Sequence, residues 1–385
     1  MRIEGIADLP LHYGHVPQWL AKIMKELAKA ILDIILLEFR SEGLLKRLSN
    51  PYWFQAFNNA IGMDWDSSGS TTVTTAIVKE ALRELGADVG VAGGKGPLSR
   101  KTQGEIDMYG ELMGLRDSIL KHIKEASILG AKADSTLLQD GFSLYHHTIF
   151  FDKRGRWVII QQGMNVKLRL ARRYHLAWFS SHDPTINPHT AVLSDLKVIS
   201  LNLTDLRSLN SRKIIVDLIN EGASKVKNLI VNVNACLKGL RPLTGEELVR
   251  PIDRNLPYYR PIRLTRRLLL ILRKAYEVKP RDIKELMLWT NVGPETLRAL
   301  ALISELIYRE PPSLNDPVTH PFSPFKYAFT IGGKDGVPHP VKREVAISVI
   351  RELRRIINDA KVGDKEKLIA LKALSRLAPR DLLGI

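Results

Sequence analysis

Ionisable and amide side chains are concentrated in one stretch of 44 residues, between Lys132 and His175. Carboxylates in such a stretch could hold Mg²⁺ beside a phosphate that is to be cleaved. The stretch therefore supplies candidate catalytic residues for a metal-dependent nuclease. Its polar members are Lys132, Asp134, Gln139, Asp140, His146, His147, Gln161, Gln162 and His175, of which Asp134, Asp140, Gln161 and His146 are the catalytic candidates.

The order of these residues is similar to that in metal-dependent nuclease cores, where an acidic residue precedes a hairpin and polar residues follow in the next strand. Two features differ from that pattern. Neighbouring residues on a strand point to opposite faces, so His146 and His147 cannot both line one site. Gly163 or Met164 also stands where one large nuclease superfamily has a lysine. A polar hairpin with solvated histidines and no catalysis is the alternative interpretation.

A second group of residues looks like a helix-hairpin-helix element, with Asn291-Val292-Gly293 between two apolar helical stretches. A tight hairpin exposes backbone N–H groups at a helix N-terminus, which bind one DNA phosphate without reading the base sequence. We predict that Gly293 takes a backbone geometry that favours glycine. The alternative is an ordinary helical turn with Pro294 in the first helical position. The predicted DNA contacts are Asn291, Val292, Gly293, Glu295, Thr296 and Arg298.

The same region resembles the helix-hairpin-helix DNA glycosylases. In that family a catalytic aspartate follows the hairpin after a Gly/Pro-containing loop, and Asp316 occupies the matching place here. The resemblance implies that Asp316 would stabilise the positively charged sugar while the damaged base is flipped into a pocket. Bifunctional members carry a lysine where this chain has Glu295, so no β-lyase activity is expected. Pro317 and the aromatic segment 322–334 depart from the helix that those enzymes have next.

The formal net charge is +16, and nearly all of the excess lies in two windows. Residues 153–175 include seven basic and no acidic residues, and residues 254–284 include ten basic and two acidic ones. Such clustering favours binding to a nucleic-acid backbone, because released counterions drive association. A basic surface of a heat-stable protein is the alternative, and RNA is not excluded as the partner. The arginines predicted to contact DNA are Arg169, Arg172, Arg173, Arg263, Arg266 and Arg267.

Hydrophobic periodicity predicts the elements that position these residues. Apolar residues at three- and four-residue intervals predict helices in the first third of the chain and between residues 264 and 308. Aromatic and β-branched residues at 142–151 and 156–162 predict a β-hairpin, and residues 168–178 are predicted to be helical. The predicted fold class is α+β and predominantly helical. Its regions are a mainly helical 1–130, an α+β region 131–250 with the hairpin, and a helical domain 251–385 with the helix-hairpin-helix.

No membrane span is expected, because no apolar stretch approaches about 18 uncharged residues. No secretory signal is expected either, since the first nine residues include Arg2, Glu4 and Asp8. The single cysteine, Cys236, excludes an internal disulfide framework and suits a reducing compartment. The expected location is the cytoplasm.

Seven short motifs are spread over most of the chain, at residues 9–12, 62–69, 93–96, 139–141, 161–165, 171–175 and 332–336. In these motifs the chain, from about residue 10 to residue 341, resembles the archaeal and bacterial domain-of-unknown-function family 763. This resemblance supplies no chemistry, so three hypotheses stay open: a DNA repair enzyme of the glycosylase or nuclease type, a non-catalytic DNA-binding module, and an RNA-directed protein. No cofactor is predicted apart from Mg²⁺ for a nuclease.

Overall fold

A computed structural model describes residues 18–63, 69–239, 250–321, 343–375 and residue 377. Three of the motifs named above lie wholly or partly outside these residues, at 9–12, 62–69 and 332–336, and so does the predicted aromatic segment 322–334. Among the residues described, no helix is both long and apolar enough to cross a membrane.

The first part of the chain forms three helices: α1 (Gln18–Ser49), α2 (Pro51–Ala60) and α3 (Gly69–Glu84). The start of α2 is determined locally. Asn50 accepts hydrogen bonds from the backbone N–H groups of Tyr52 and Trp53, and Pro51 occupies the first helical position. These helices confirm the prediction of a helical N-terminal part.

An antiparallel five-stranded sheet follows, in the order β1-β3-β4-β5-β6. The predicted hairpin is confirmed, because β3 and β4 pair along their length. The predicted helix at 168–178 is wrong: this segment forms β5, which pairs with β4 on one side and β6 on the other. The elements are β1 (Val89–Lys95), α4 (Thr102–Met113), α5 (Asp117–Lys132), a π-helical turn (Ala133–Leu137), β2 (Leu138–Gln139), β3 (Ser143–Asp152), β4 (Trp157–Asn165), β5 (Leu170–Ala177), β6 (His189–Leu193) and β7 (Leu201–Asn202), which pairs with β2.

The two faces of the sheet contact different helices. Phe150, Val158 and Ile160 lie on one face and join the core formed by α1, α2 and α3, and we call this the N-terminal face. Ile149 and Ile159 lie on the opposite face, in a core that includes residues of α4 and α5, and we call this the α5 face. The strand alternation therefore assigns each polar residue of β3, β4 and β5 to one of two separate environments.

Five helices form a second assembly: α6 (Leu209–Glu221), α7 (Ala223–Leu237), α8 (Arg266–Val278), α9 (Ile283–Trp289) and α10 (Pro294–Leu306). They share one apolar core, which also includes Leu129 and Leu137. The helices α11 (Arg343–Asp359) and α12 (Asp364–Ser375) pack instead into the core of α1, α2 and α3. The apolar cores therefore include residues from both sides of the predicted region boundaries after residues 130 and 250. The fold is α+β and predominantly helical, as predicted.

Candidate functional site

The segment between α9 and α10 is a short turn whose backbone is extended at its last residue. Gly293 has φ −114° and ψ −178° and forms the N-cap of α10. A side chain added at Gly293 would contact nothing within 4 Å, so the predicted need for glycine is wrong at this position. Asn291 is not among the residues with positive φ. Val292 is buried in the helical core and anchors the turn.

This turn forms one wall of a cleft of about 640 Å³ between the N-terminal ends of α8 and α10, which we call the α8–α10 cleft. Its floor is apolar and its rim carries guanidinium groups. The floor includes Ile262, Leu268 and Ile271, and the basic residues that line the cleft are Arg260, Arg263, Arg267 and Arg298.

Both helix N-termini leave backbone N–H groups for a ligand. The Thr265 side chain accepts a hydrogen bond from the Leu268 N–H and so caps α8, whereas no side chain caps α10. Thr296 lines the cleft and is buried, and its hydroxyl forms no hydrogen bond to any described residue. Free N–H groups at a helix N-terminus, together with an unused hydroxyl, favour an anion at this end of the cleft.

The arginines of the cleft differ in their availability. Arg263 and Arg267 are exposed and form no ion pair within the described segments. Arg260 pairs with Glu295. Arg298 is buried and donates to the carbonyl oxygens of Tyr258 and Arg260, at 3.0 and 2.7 Å, and burial lowers its pKa. Arg298 therefore shapes the cleft, while Arg263 and Arg267 remain available to a partner.

Arg266, the third predicted arginine of this window, is exposed at the first position of α8 but does not line the cleft. The first basic window does not form one surface. Arg169 is exposed in the turn between β4 and β5, but Arg172 and Arg173 are each 0% exposed. The predicted DNA contacts of Arg172 and Arg173 are therefore wrong, because neither side chain reaches the surface.

Arg172 is buried on the α5 face between two carboxylates. Its guanidinium donates to Asp140 Oδ2 at 2.8 Å and to both oxygens of Asp316, at 3.0 and 2.9 Å. Asp316 Oδ2 also accepts the Val198 N–H at 2.7 Å. Burial raises the pKa of Asp140. Both Asp316 oxygens are thus occupied by protein donors, which is unlike a catalytic carboxylate that faces a sugar.

Asp134 belongs to a different polar network on the same face. Its two oxygens contact His189 Nε2 at 2.6 Å and Gln161 Nε2 at 2.5 Å. Gln161 Oε1 lies 2.7 Å from Nδ1 of His147, a ring whose pKa is lowered by burial. Asp134 and Asp140 therefore have separate partners. Within the described ranges, no group of three His, Cys, Asp or Glu side chains could hold a metal, so the predicted Mg²⁺ set does not assemble there.

His189 is the functional candidate that sequence reasoning missed. It lies at the end of a loop rich in polar residues and proline, and nothing in its spacing connects it to Asp134, 55 residues earlier. The π-helical turn that carries Asp134 is bounded by residues that contact the α9–α10 turn. Lys132 Nζ donates to the Val292 carbonyl oxygen at 3.3 Å and Gln139 Nε2 to that of Pro294 at 2.8 Å.

His146 lies on the opposite, N-terminal face and cannot act with Asp134. Its Nε2 lies 3.1 Å from the hydroxyls of Thr75 and of Thr148. Burial lowers its pKa from 6.5 to about 3, so the ring is neutral at physiological pH. The four sequence-predicted catalytic residues of the central block are thus divided between the two faces of the sheet.

A set of buried polar side chains lies around His146, between the sheet and the helices α2 and α3, and we call it the polar ring. In β3, β4 and β5, His146, Gln162 and Arg173 form one row across the sheet. Arg173 donates to Gln55 of α2 at 3.1 Å, and Thr74 of α3 donates to Asn58 of α2. The members of the polar ring are Gln55, Asn58, Thr74, Thr75, His146, Gln162 and Arg173, each at most 2% exposed.

Comparison with known proteins identifies one match: a family described as "Protein of unknown function (DUF763)" covers residues 5–341. No curated protein and no solved structure matches the chain.

Proposed function

The chain belongs to the DUF763 family, and from its own residues we propose that it binds DNA through phosphate contacts in the α8–α10 cleft. The observation that carries the proposal is the meeting in one cleft of two helix N-termini and two arginines, Arg263 and Arg267, that form no ion pair with any described residue. A phosphate could accept hydrogen bonds from both kinds of donor at once.

The chemistry of the cleft favours binding without sequence readout. Contacts from backbone N–H groups and arginines to phosphate oxygens carry no information about the base. The apolar floor accommodates the sugar or a base without donating hydrogen bonds to it. We therefore expect an affinity that depends on salt more strongly than on sequence.

Charge removal at the cleft tests the proposal. Binding of a fluorescent duplex should be measured by anisotropy between low and physiological salt, for wild type and for Arg263→Ala/Arg267→Ala. Each phosphate contact that is lost should reduce the slope of log affinity against log salt by about 0.9. The double variant should therefore show a slope that is smaller by about 2.

The matched control is Arg100→Ala/Arg154→Ala, which removes two arginines that are exposed and outside the cleft. This control should retain the wild-type slope. An equal decrease of the slope in both double variants would show that net charge alone drives binding, and would refute the assignment of DNA binding to the cleft. A single-stranded RNA of equal length, titrated in parallel, identifies the preferred polymer.

Glu295 provides a test in the opposite direction. Its carboxylate lines the cleft and pairs with Arg260 and Arg298, so it repels an entering phosphate and neutralises two of the guanidinium groups there. Replacing Glu295 with glutamine should strengthen DNA binding by roughly 2- to 10-fold, which is the effect of one exposed charge. Unchanged affinity in this variant would place the DNA elsewhere on the surface.

A further inference from the structure

We propose that the α8–α10 cleft takes up an unpaired nucleotide, so that the DNA it prefers carries a segment in which the bases are not paired. The inference rests on the proposed function, because it names the form of DNA that the same cleft binds. It assigns a base to the apolar floor, while the phosphates stay on the basic rim.

The first argument is the chemistry of the floor, which differs from that of the rim. The floor includes Ile262, Leu268 and Ile271. Two prolines also line the cleft: Pro261, which precedes α8, and Pro294, the first residue of α10. Phosphate oxygens are charged and gain nothing from contact with apolar side chains, which donate no hydrogen bonds. The floor therefore fits a different part of the DNA from the part that the arginines bind.

The part of DNA that fits an apolar surface is the face of a base. In a duplex the faces are stacked on one another, and the grooves expose only base edges. An apolar floor would leave the hydrogen-bonding groups of those edges without partners, which costs free energy. An unpaired base has a free face, and every base can lie on an apolar surface in this way. The floor therefore favours a nucleotide that is outside the double helix.

The second argument is the size of the cleft. Its volume of about 640 Å³ lies within the roughly 300–1,000 Å³ that is typical of pockets for small ligands. The major groove of a duplex is by itself about 12 Å wide, so the whole double helix is much broader than such a pocket. A duplex can place phosphates and the adjoining sugars on the rim. Only a nucleotide that leaves the duplex can reach the floor.

The third argument is that polar groups for both parts of a nucleotide line the cleft. Arg263 and Arg267 are exposed there and available to the phosphate. Asn291 lies in the wall that the α9–α10 turn forms, is exposed, and makes no hydrogen bond to any described residue. Its amide both donates and accepts, so it can bond to the edge of any base. The cleft can therefore hold an unpaired nucleotide without selecting a sequence.

Anisotropy titrations with two duplexes of equal length and charge test the inference. One duplex is fully paired, and in the other the central base pairs are replaced by opposed thymidines. Wild type should bind the mismatched duplex roughly 5-fold more tightly or better. Ile271→Ala, which trims a partly buried side chain of the floor, should reduce this preference by roughly 3-fold. Leu270→Ala is the matched control, because Leu270 is the neighbouring residue of α8, is 53% exposed and does not line the cleft. It should keep the wild-type preference.

The outcomes separate this inference from the proposed function. If wild type binds both duplexes equally and Arg263→Ala/Arg267→Ala weakens both, the cleft binds phosphates only and the inference is overturned. A preference for the mismatched duplex that is as large in Ile271→Ala as in Leu270→Ala also overturns it, because the unpaired bases then lie elsewhere. If binding of neither duplex depends on Arg263 and Arg267, the proposed function fails and the inference fails with it. Circular dichroism confirms that each variant is folded.

Discussion

The replacement of Asp316 with asparagine distinguishes a structural carboxylate from a catalytic one. The side chain is 7% exposed and accepts two N–H groups from Arg172 and one each from the Val198 and Val318 backbone. Asparagine has the same shape but only one accepting oxygen. Whichever way its amide is oriented, the new NH₂ group faces a donor of Arg172 that has lost its acceptor.

The expected cost can be estimated from these contacts. Breaking a buried ion pair by removing one partner costs about 3–5 kcal/mol. Asp140 still neutralises Arg172, through a bond of 2.8 Å, which reduces the penalty. Removing Asp316 also ends its repulsion of Asp140. We therefore expect Asp316→Asn to lower the free energy of unfolding by about 2–4 kcal/mol.

Urea unfolding followed by tryptophan fluorescence measures this change. Asp217→Asn is the control, because Asp217 is exposed on α6 and has no ion pair in the described segments. The control should change stability by no more than about 0.5 kcal/mol. A catalytic role would predict that Asp316→Asn leaves stability unchanged. A loss below about 1 kcal/mol would refute the structural role that we assign to Asp316.

Two further predictions concern the turn and the polar ring. Gly293→Ser should add a side-chain cap to α10 and raise the free energy of unfolding by about 0.3 kcal/mol, since glycine is itself a tolerated N-cap. The same change should weaken DNA binding, because the new hydroxyl occupies an N–H group that the phosphate would use. Stabilisation with unchanged DNA affinity would contradict the phosphate position. Burial lowers the pKa of His146 from 6.5 to about 3 in the folded protein, so below pH 6.5 unfolding takes up a proton. Acid therefore favours the unfolded state. The contribution of the neutral ring to stability is complete above pH 6.5 and is lost as the pH falls toward 3. Between pH 7 and pH 5 this loss amounts to about 2 kcal/mol of the free energy of unfolding. Over the same pH range, urea unfolding should show that the free energy of unfolding falls by about 2 kcal/mol less in His146→Gln than in wild type. An equal decrease in wild type and variant would contradict a buried neutral ring.

The sequence predicts the elements that are determined locally. The β3–β4 hairpin follows from two β-branched and aromatic segments around a four-residue turn, which all lie within one stretch of chain. The strand β5 could not be found in this way. Its arginines resemble those of a solvated helix, whereas its conformation is fixed by pairing with β4 and β6. The local pattern therefore predicts, wrongly, that Arg172 and Arg173 lie at the surface.

Only part of the candidate site can be predicted from the sequence, because several of its contacts join residues that are far apart in the chain. Arg172 is neutralised by Asp316, which lies 144 residues further along the chain, and no local pattern reveals such a pair. The polar ring does leave a signal, since α2 has Gln55, Asn58 and Asn59 at helical spacing. That spacing alone does not distinguish a solvated helix face from a buried one. Only the position of α2 against the sheet makes its polar face unusual.

The ion pair between Arg172 and Asp316 also determines when the protein can complete its fold during synthesis. The ribosome adds about 5–20 residues per second, so the 144 residues between the two partners take about 7–30 s to emerge. Throughout that interval Asp140 is the only one of its two carboxylate partners that Arg172 can reach. The sheet can pair its strands early, but it cannot close its α5 face around the arginine with both counterions in place. Nascent chains that are released before residue 316 should therefore retain an open sheet face, which is a surface that chaperones recognise.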